Sequence, residues 1–489
     1  MIDTLIIGGG SAGCVLAARL SADPEHRVRL LEAGPVSADP AVLLDATRMP
    51  IGPESPWVWR YPVTLAGAVT GNIVRGKVIG GSGAVNGGYF VRATAADFAA
   101  WSKELDSWSF DAVLPAYRRL ERDHDFGDQP GHGATGPIPV RRTAVPAPLS
   151  CEFASACTAL GLPLIPDLNA LPGTDPANGF GPVPWNIEDG RRADTGSAYL
   201  APALARPNLT VTGAVLVTRI RFHGTRAIGV DYVHEGKPGA LDADRIVLCA
   251  GAIESAALLL RSGIGDPEQL RALDIPVVHP APVGAAFSDH PEIGIDYRSD
   301  PSHSTVAGIP LEYVLELDDV EIRPYAVTFT PYTQRLGVAL MRPHSEGVLR
   351  LRCADPAVPP HIDYRYLSES ADRIRLREAV TVAREILHAI PMARPPESIP
   401  DDAWLHANLA TSQHLSGTCR MGGAYDERAV VDEQCRVHGT TGLSVVDLSV
   451  VPVPLGRGPQ ATTVLVAERV AEYLTQGVWK MGRSHLREV

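Results

Sequence analysis

The sequence of 489 residues lacks several features that would mark other classes of protein. No apolar run reaches about 18 residues, so we predict no transmembrane helix. The net charge is −12, and no basic cluster is long enough to follow a phosphate backbone, which argues against nucleic-acid binding. The N-terminus enters a strand pattern directly, so we expect no signal peptide.

Cysteine is scarce, and the seven cysteines form no CxxC pair. An odd number without metal-ligand spacing indicates reduced, mostly buried thiols and no metal site. We therefore expect a cytoplasmic protein, with peripheral contact to a membrane left open. The 45% apolar and 20% charged content is typical of a globular protein, and the length favours two consecutive or intertwined domains.

The first 34 residues have the pattern of a dinucleotide-binding unit. We predict a buried strand at Thr4–Ile7, a helix at Ser11–Leu20 and a second strand at Arg27–Leu31. Three glycines fall in the first strand-to-helix turn, namely Gly8, Gly10 and Gly13. They suit a tight turn, close approach of a pyrophosphate to the helix start, and close packing of helix on strand.

Glu32 ends the second strand, where a carboxylate can hold the hydroxyl groups of a ribose. An acidic residue there disfavours a 2′-phosphate, so FAD or NAD is preferred over NADP. The alternative is a plain α/β turn without a ligand.

Residues 75–92, RGKVIGGSGAVNGGYFVR, are too rich in glycine for a helix interior or a regular strand. They suit a backbone lying against a flat ligand, with Asn86 offering a donor and an acceptor. A flexible surface loop is the alternative, and it is disfavoured by apolar side chains at Val78, Ile79, Val85, Tyr89 and Phe90.

Two further segments complete the pattern. Residues 244–265 predict a strand at Arg245–Ala250, a turn at Gly251 and a helix at Glu254–Arg261. Near the C-terminus, His414 opens HLSGTCRMGG, and Asp447 follows a predicted strand at Leu443–Val446.

These segments resemble the glucose-methanol-choline (GMC) oxidoreductases in order and spacing. The similar segments are GGGSAG, RGKVIGGSGAVNGG, GAIESAALLLRSGIG, VGAAFSDH, HLSGTCRMGG and VVDLSVVP. The resemblance implies an FAD-dependent enzyme without a metal. The flavin-binding residues that it implies are Gly8, Gly10, Ser11, Gly13, Glu32, Gly80, Gly81, Asn86, Val215, Asp447 and Gln460.

The resemblance also implies an α/β fold, α+β overall, in which a Rossmann-like FAD domain is intertwined with a substrate domain on an antiparallel sheet. We expect the FAD domain at 1–145, 190–290 and 410–480, and the substrate domain at 146–189 and 291–409. The first substrate segment is rich in Pro, Gly and Asn and is predicted as a lid or loop region. The second predicts antiparallel strands, then a helix at Asp372–Ile390.

His414 matches the catalytic histidine of the family. Oxidation of an alcohol by a flavin moves a hydride to N5 while a base accepts the hydroxyl proton, and histidine has a suitable pKa. His290 is the next candidate, and we interpret it as a support for a loop near the flavin. Asp289 and Asn86 are interpreted as structural or flavin-binding.

Two positions depart from the family pattern. Val85 stands where some members carry a histidine joined covalently to the flavin, so we predict non-covalent FAD. Gly458 stands where members usually carry a second His or Asn beside the catalytic histidine. Either His414 acts alone, or Arg457, Gln460 or a residue of 291–409 replaces the partner. The missing side chain could also leave room for a bulky substrate.

The favoured function is oxidation of a small or peptide-derived alcohol by a dehydrogenase that passes electrons to a quinone or respiratory carrier. The chain is also similar to the GMC members associated with mycofactocin, which would imply mycofactocinol as the substrate. The alternatives are an oxidase that uses O₂, a flavin-retaining lyase or decarboxylase, and a flavin-binding interaction protein. An NAD-only dehydrogenase would leave residues 75–92 and 414–423 without a role.

Overall fold

The computed structural model describes residues 2–36, 40–174, 178–298, 309–330, 333–391, 393–394 and 400–475. The C-terminal segment GRSHLREV, predicted as a polar tail, lies outside the described residues. None of the described helices combines the length and the apolar character that crossing a bilayer requires.

A parallel sheet of five strands contains the two strands predicted near the N-terminus. Its order is β10-β2-β1-β14-β24. These strands are β1 (Thr4–Ile7), β2 (Val28–Leu31), β10 (Leu209–Thr212), β14 (Ile246–Leu248) and β24 (Leu443–Val445). All four residues of β1 are buried, as expected for a strand with neighbours on both sides and helices over the sheet. The predicted strand-helix-strand unit is thereby confirmed.

The helices lie around and between the sheets. They are α1 (Ser11–Leu20), α2 (Pro40–Leu43), α3 (Ala95–Trp101), α4 (Phe110–Leu120), α5 (Pro148–Ala159), α6 (Ala201–Ala203), α7 (Gly251–Arg261), α8 (Pro267–Ala272), α9 (Ser370–Ala389), α10 (Asp402–Ala407) and α11 (Gln460–Thr475). The first and last helices are joined by Arg19, whose guanidinium donates to both carboxylate oxygens of the buried Glu468 at 2.8 to 3.2 Å. Opposite ends of the chain therefore share one core.

An antiparallel sheet of six strands, in the order β23-β17-β20-β19-β18-β7, forms the second large layer. Its strands are β7 (Gly179–Pro182), β17 (Pro291–Arg298), β18 (Tyr313–Leu317), β19 (Val320–Thr330), β20 (Thr333–Leu340) and β23 (Leu409–Thr411). The antiparallel sheet and the helix expected within 291–409 are confirmed, with α9 displaced by one or two residues from the predicted bounds.

The remaining strands form smaller sheets. A four-stranded sheet consists of β3 (Val58–Ala66), β4 (Val69–Gly76), β21 (Val348–Arg350) and β22 (His361–Asp363), and a three-stranded sheet of β11 (Val215–His223), β12 (Arg226–His234) and β13 (Lys237–Asp242). The two-stranded pairs are β5 (Glu121–Asp123) with β6 (Ile138–Val140), β8 (Ile187–Glu188) with β9 (Arg191–Arg192), and β15 (Ile264–Gly265) with β16 (His279–Pro280). The four-stranded sheet joins 58–76, which we expected in the FAD domain, to 348–363, which we expected in the substrate domain. The expected division into two domains stays a prediction.

One local expectation was wrong. Residues 146–189 are not a loop region throughout, because α5 begins at Pro148, where a missing N–H costs nothing, and buries Leu149 and Phe153. Strand β7 of the same segment pairs with β18. The turn predicted at Gly251 is confirmed, because Gly251 has a φ of +84° at the start of α7, where its N–H donates to the carboxylate of Asp447 at 2.9 Å.

Candidate active site

A cavity of about 610 Å³ runs from the glycine turn after β1 to His414. Most of the residues predicted to bind a cofactor line it, namely Gly8, Gly10, Ser11, Glu32, Gly81, Asn86, Val215, Asp447 and Gln460. Gly13 and Gly80 are absent from the lining and lie behind this wall. The volume is in the range of cofactor sites, and one cavity holds both the dinucleotide elements and the predicted base.

The glycine turn allows a ligand to lie against its backbone. Gly8 has a φ of +100°, and a Cβ atom on Gly13 would overlap the carbonyl oxygen of Gly8. A Cβ atom on Gly81 would lie 2.6 Å from the Cα atom of Gly10, so the 75–92 segment packs directly on the turn. A side chain at Gly8, Gly13 or Gly81 would disrupt the packing on which the cavity wall depends.

Glu32 is held so that its carboxylate faces the cavity. Its Oε2 atom accepts a hydrogen bond from the N–H of Gly9 at 2.7 Å, and its Oε1 atom accepts one from Gly34 at 2.7 Å. Burial raises the pKa of this carboxyl, and the two N–H groups oppose the shift. The lone pairs that remain can accept hydrogen bonds from ribose hydroxyl groups.

Three helices begin at the cavity wall: α1 at Ser11, α7 at Gly251 and α11 at Gln460. The amide of Gln460 and the hydroxyl of Ser11 lie 3.1 Å apart and join two of these N-termini. Helix N-termini present unpaired N–H groups and a positive partial charge, which suit the diphosphate of a dinucleotide.

The 75–92 segment is shaped by Asp194, which was not predicted as a site residue, and by Asn86, which was. Gly80 has a φ of +87°, and a Cβ atom there would overlap the carboxylate of Asp194. The Oδ1 atom of Asn86 accepts the N–H of Gly88 at 2.9 Å and shapes the end of the turn.

The hydroxyl of Ser255 donates to Asp447 at 2.6 Å. Asp194 and Ser255 lie in no motif that we recognised in the sequence, so neither was predicted as a site residue.

His414 lies at the far end of the cavity and contacts a second histidine. Its Nδ1 atom is 2.9 Å from the Nδ1 atom of His290, with the ring planes at 82°. Burial lowers the pKa of His414 well below its ordinary value, and His290 and nearby arginines lower it further. Burial, assisted by Arg323, likewise lowers the pKa of His290 to about 3. Both rings are therefore neutral at neutral pH, the state that a general base requires.

A buried charge network that sequence reasoning missed lies beside the histidines. Arg323 donates to Glu321 at 2.6 Å, to Glu292 at 2.9 Å and to the Ser412 hydroxyl at 2.7 Å. Tyr325 donates to Glu292 at 2.9 Å. The signal was the alternation in the first half of β19, where polar residues 321, 323 and 325 share one face and apolar residues 320, 322, 324 and 326 share the other.

Comparisons with known proteins identify the family. The GMC oxidoreductase models match residues 2–292 and 343–467. The chain belongs to the GMC oxidoreductase family. It is therefore an FAD-binding oxidoreductase.

Relatives of this GMC oxidoreductase match over nearly the whole chain. An uncharacterised GMC-type oxidoreductase of Rhodococcus erythropolis is 43% identical, covering 96% of this chain and 98% of that protein. Human mitochondrial choline dehydrogenase is 34% identical, covering 96% and 89%. The crystal structure of pyridoxine 4-oxidase from Mesorbium loti has a TM-score of 0.89 at 29% identity, covering 97% of this chain and 99% of its own.

The residues of this GMC oxidoreductase fit FAD. A glycine cradle, a ribose-facing carboxylate and three helix N-termini line one side of the cavity, as an adenine dinucleotide requires. Val85 carries no nucleophilic atom, so non-covalent binding stays our expectation. When bound, FAD supplies the acceptor of a hydride.

Gly458 does not leave an open space in this GMC oxidoreductase. A Cβ atom on Gly458 would lie 2.9 Å from Cδ1 of Tyr89 and 3.0 Å from its Cε1, so the phenol ring occupies that space. Arg457 does not replace the missing partner, because its guanidinium donates to Glu316 at 2.6 Å and to the carbonyl of Leu168. Gln460 contacts Ser11 instead. The hypothesis of extra room at Gly458 was wrong.

Proposed function

We propose that this GMC oxidoreductase oxidises a small primary or secondary alcohol with His414 as the catalytic base. The imidazole of His414 would accept the hydroxyl proton of the alcohol. FAD, when bound, would supply the acceptor for the hydride of the carbinol carbon, so that a carbonyl product remains. The observation that carries the proposal is that His414, half-buried and with a lowered pKa, lines the same cavity as the dinucleotide elements.

The finer substrate class and the electron acceptor belong to the same proposal. Names of relatives suggest choline and pyridoxine as first test substrates. We propose a dehydrogenase that passes electrons to a quinone or another respiratory carrier. The resemblance noted in the sequence supports mycofactocinol as a further test substrate, and a cytoplasmic location stays a prediction.

The test is anaerobic reduction of the purified FAD-loaded protein by a panel of alcohols, followed at the flavin absorbance. His414→Gln should slow flavin reduction by roughly 10²–10⁴-fold, the usual contribution of a positioned base. His388→Gln is the matched control, because His388 is exposed on α9 and its ring contacts the carbonyl of Arg384 in the same helix. Equal rates in wild type and His414→Gln would refute the role of His414.

The same experiment separates the alternatives. A lyase or decarboxylase would consume substrate while the flavin stays oxidised. After reduction, rapid reoxidation by air would establish an oxidase and overturn the dehydrogenase proposal, whereas reoxidation by quinone-type dyes alone would support it. A flavin that no substrate reduces or converts would favour an interaction protein.

A further inference from the structure

The contact between His290 and His414 restricts where their protons lie. Two neutral imidazole rings have two ring protons in total, one each, and the two Nδ1 atoms are 2.9 Å apart. At this distance one Nδ1 donates and the other accepts. The pair therefore has two arrangements, and only one of them leaves Nε2 of His414 without a proton.

The position of the rings decides which arrangement a base at His414 requires. His414 lines the cavity, and its Nδ1 atom is already directed at Nδ1 of His290. Nε2 of His414 is therefore the ring nitrogen left for a substrate in the cavity, and it can accept a proton only if it carries none. In that arrangement Nδ1–H of His414 donates to a bare Nδ1 of His290, and the proton of His290 lies on its Nε2 atom.

The backbone holds both rings in this relation. Oδ1 of the buried Asp289 accepts the N–H of His290 at 2.6 Å and the N–H of His414 at 2.7 Å. Gln413, just before His414, has a φ of +62° and accepts the N–H of Val74 through its side chain at 2.9 Å. The two histidines, 124 positions apart in the chain, are thus fixed by one carboxylate.

Nε2 of His414 is left to face the substrate. Among the described residues no hydrogen-bond partner is recorded for this atom, and the ring lines the cavity. Position 458 supplies no partner either, because Gly458 has no side chain, and the neighbouring Tyr89 of the 75–92 segment donates to Glu321 at 3.2 Å.

We propose that His290 is a positioning residue that selects the tautomer of His414, with Nδ1–H directed at His290 and a bare Nε2 directed at the alcohol. This inference rests on the proposed function. It assigns to a histidine of the 283–290 segment the task of orienting the base, and it explains how His414 works without a side chain at position 458.

The first test uses no turnover. Ring nitrogens of the holoprotein labelled with ¹⁵N-histidine report which nitrogen carries a proton, and His414→Gln identifies the His414 signals by their loss. We expect a protonated Nδ1 and an unprotonated Nε2 for His414 in the wild type. A protonated Nε2 on His414 in the wild-type protein would overturn the proposal without reference to any variant.

Two variants of His290 then test its consequence. His290→Leu removes the acceptor, and His290→Asn places an amide oxygen near the position of Nδ1. Because a positioned base contributes ~10²–10⁴-fold, we expect His290→Leu to slow flavin reduction at saturating alcohol at least about ten-fold, with KM little changed. His290→Asn should restore most of the rate.

The outcomes are distinguishable. If wild-type flavin is reduced by no alcohol, the proposed function fails while the ¹⁵N result still stands for or against the tautomer. If His290→Leu binds FAD and reduces it at the wild-type rate, the positioning role is refuted and the proposed function survives. Loss of rate in both His290→Leu and His290→Asn, with an unchanged His414 tautomer, would also refute it.

Discussion

At the scale of single residues, the missing side chain at position 458 is explained by its neighbour. Tyr89 fills the space that a side chain would need, and its hydroxyl is tied to Glu321. The φ of Gly458 lies outside the left-handed region, so the constraint on this glycine is steric and not conformational. Position 458 and position 89 therefore have to change together.

We expect Gly458→Ala to destabilise the protein by ~1–3 kcal/mol, the usual cost of adding a methyl group to a packed site. The free energy of unfolding in urea measures this cost. Gly423→Ala is the matched control, because no heavy atom in the part of the chain that the structure describes lies within 4 Å of its added Cβ. Tyr89→Leu should relieve most of the penalty of Gly458→Ala. Equal stabilities of Gly458→Ala and Gly423→Ala would contradict the packing argument.

At the scale of elements, the dinucleotide site depends on how closely a strand, a turn and a helix approach each other. Gly13 lies in the first turns of α1, directly against the carbonyl of Gly8, and the 75–92 segment packs on the same turn through Gly81. No side chain of either segment needs to contact the phosphates for this to work. The elements themselves present N–H groups to the cavity.

Gly13→Ala should abolish or strongly weaken FAD binding, because its Cβ atom would overlap the backbone of Gly8 and separate α1 from β1. The flavin-to-protein absorbance ratio of the purified variant checks this. Gly52→Ala, whose Cβ atom would meet no heavy atom of the described residues within 4 Å, should keep the wild-type ratio. A fully loaded Gly13→Ala protein would show that the turn tolerates the displacement.

At the scale of the whole molecule, distant segments are joined by a buried ionic network outside the active site. His132 contacts Glu121 at 3.0 Å, Asp123 at 3.2 Å and Asp167 at 2.8 Å. Two arginines complete it: Arg92 pairs with Glu121, and Arg142 pairs with Asp123 and Asp167. Three carboxylates face two arginines, so a protonated histidine makes the network neutral, and we interpret it as a structural cross-link.

Burial alone would lower the pKa of His132, but its hydrogen bonds to the three carboxylates outweigh burial and raise it to about 10. Because this lies above the ordinary value of 6.5, the stabilisation is complete below pH 6.5 and is lost as the pH rises toward 10. Across that window stability should fall by up to about 1.4 kcal/mol per pH unit.

Urea unfolding of the wild type and of His132→Gln between pH 6 and pH 10 measures this contribution. The variant should be less stable at pH 6, and the difference between the two proteins should shrink as the pH rises. A difference that stays constant over the window would show that His132 is not protonated in the folded protein.

The sequence by itself determined the dinucleotide unit, the family and the residue expected to act as base. The features behind these predictions are local, namely the glycine spacing, the strand and helix periodicity and the acidic residue after β2. They can therefore be recognised in the sequence without knowledge of the fold. The same holds for the antiparallel strands and the long helix within 291–409. Eleven residues were predicted to bind the cofactor, and the structure brings nine of them to one cavity.

Only the tertiary structure decided what surrounds the histidine. His290 and His414 are 124 positions apart, and Tyr89 and Gly458 come from opposite ends of the chain, so no local pattern could pair them. The charge network on β17 and β19 likewise depends on how the strands pair. Contacts between side chains of distant segments follow from packing. Position 458 lacks the side chain that the family pattern leads one to expect, and in the folded chain the ring of Tyr89 occupies that space.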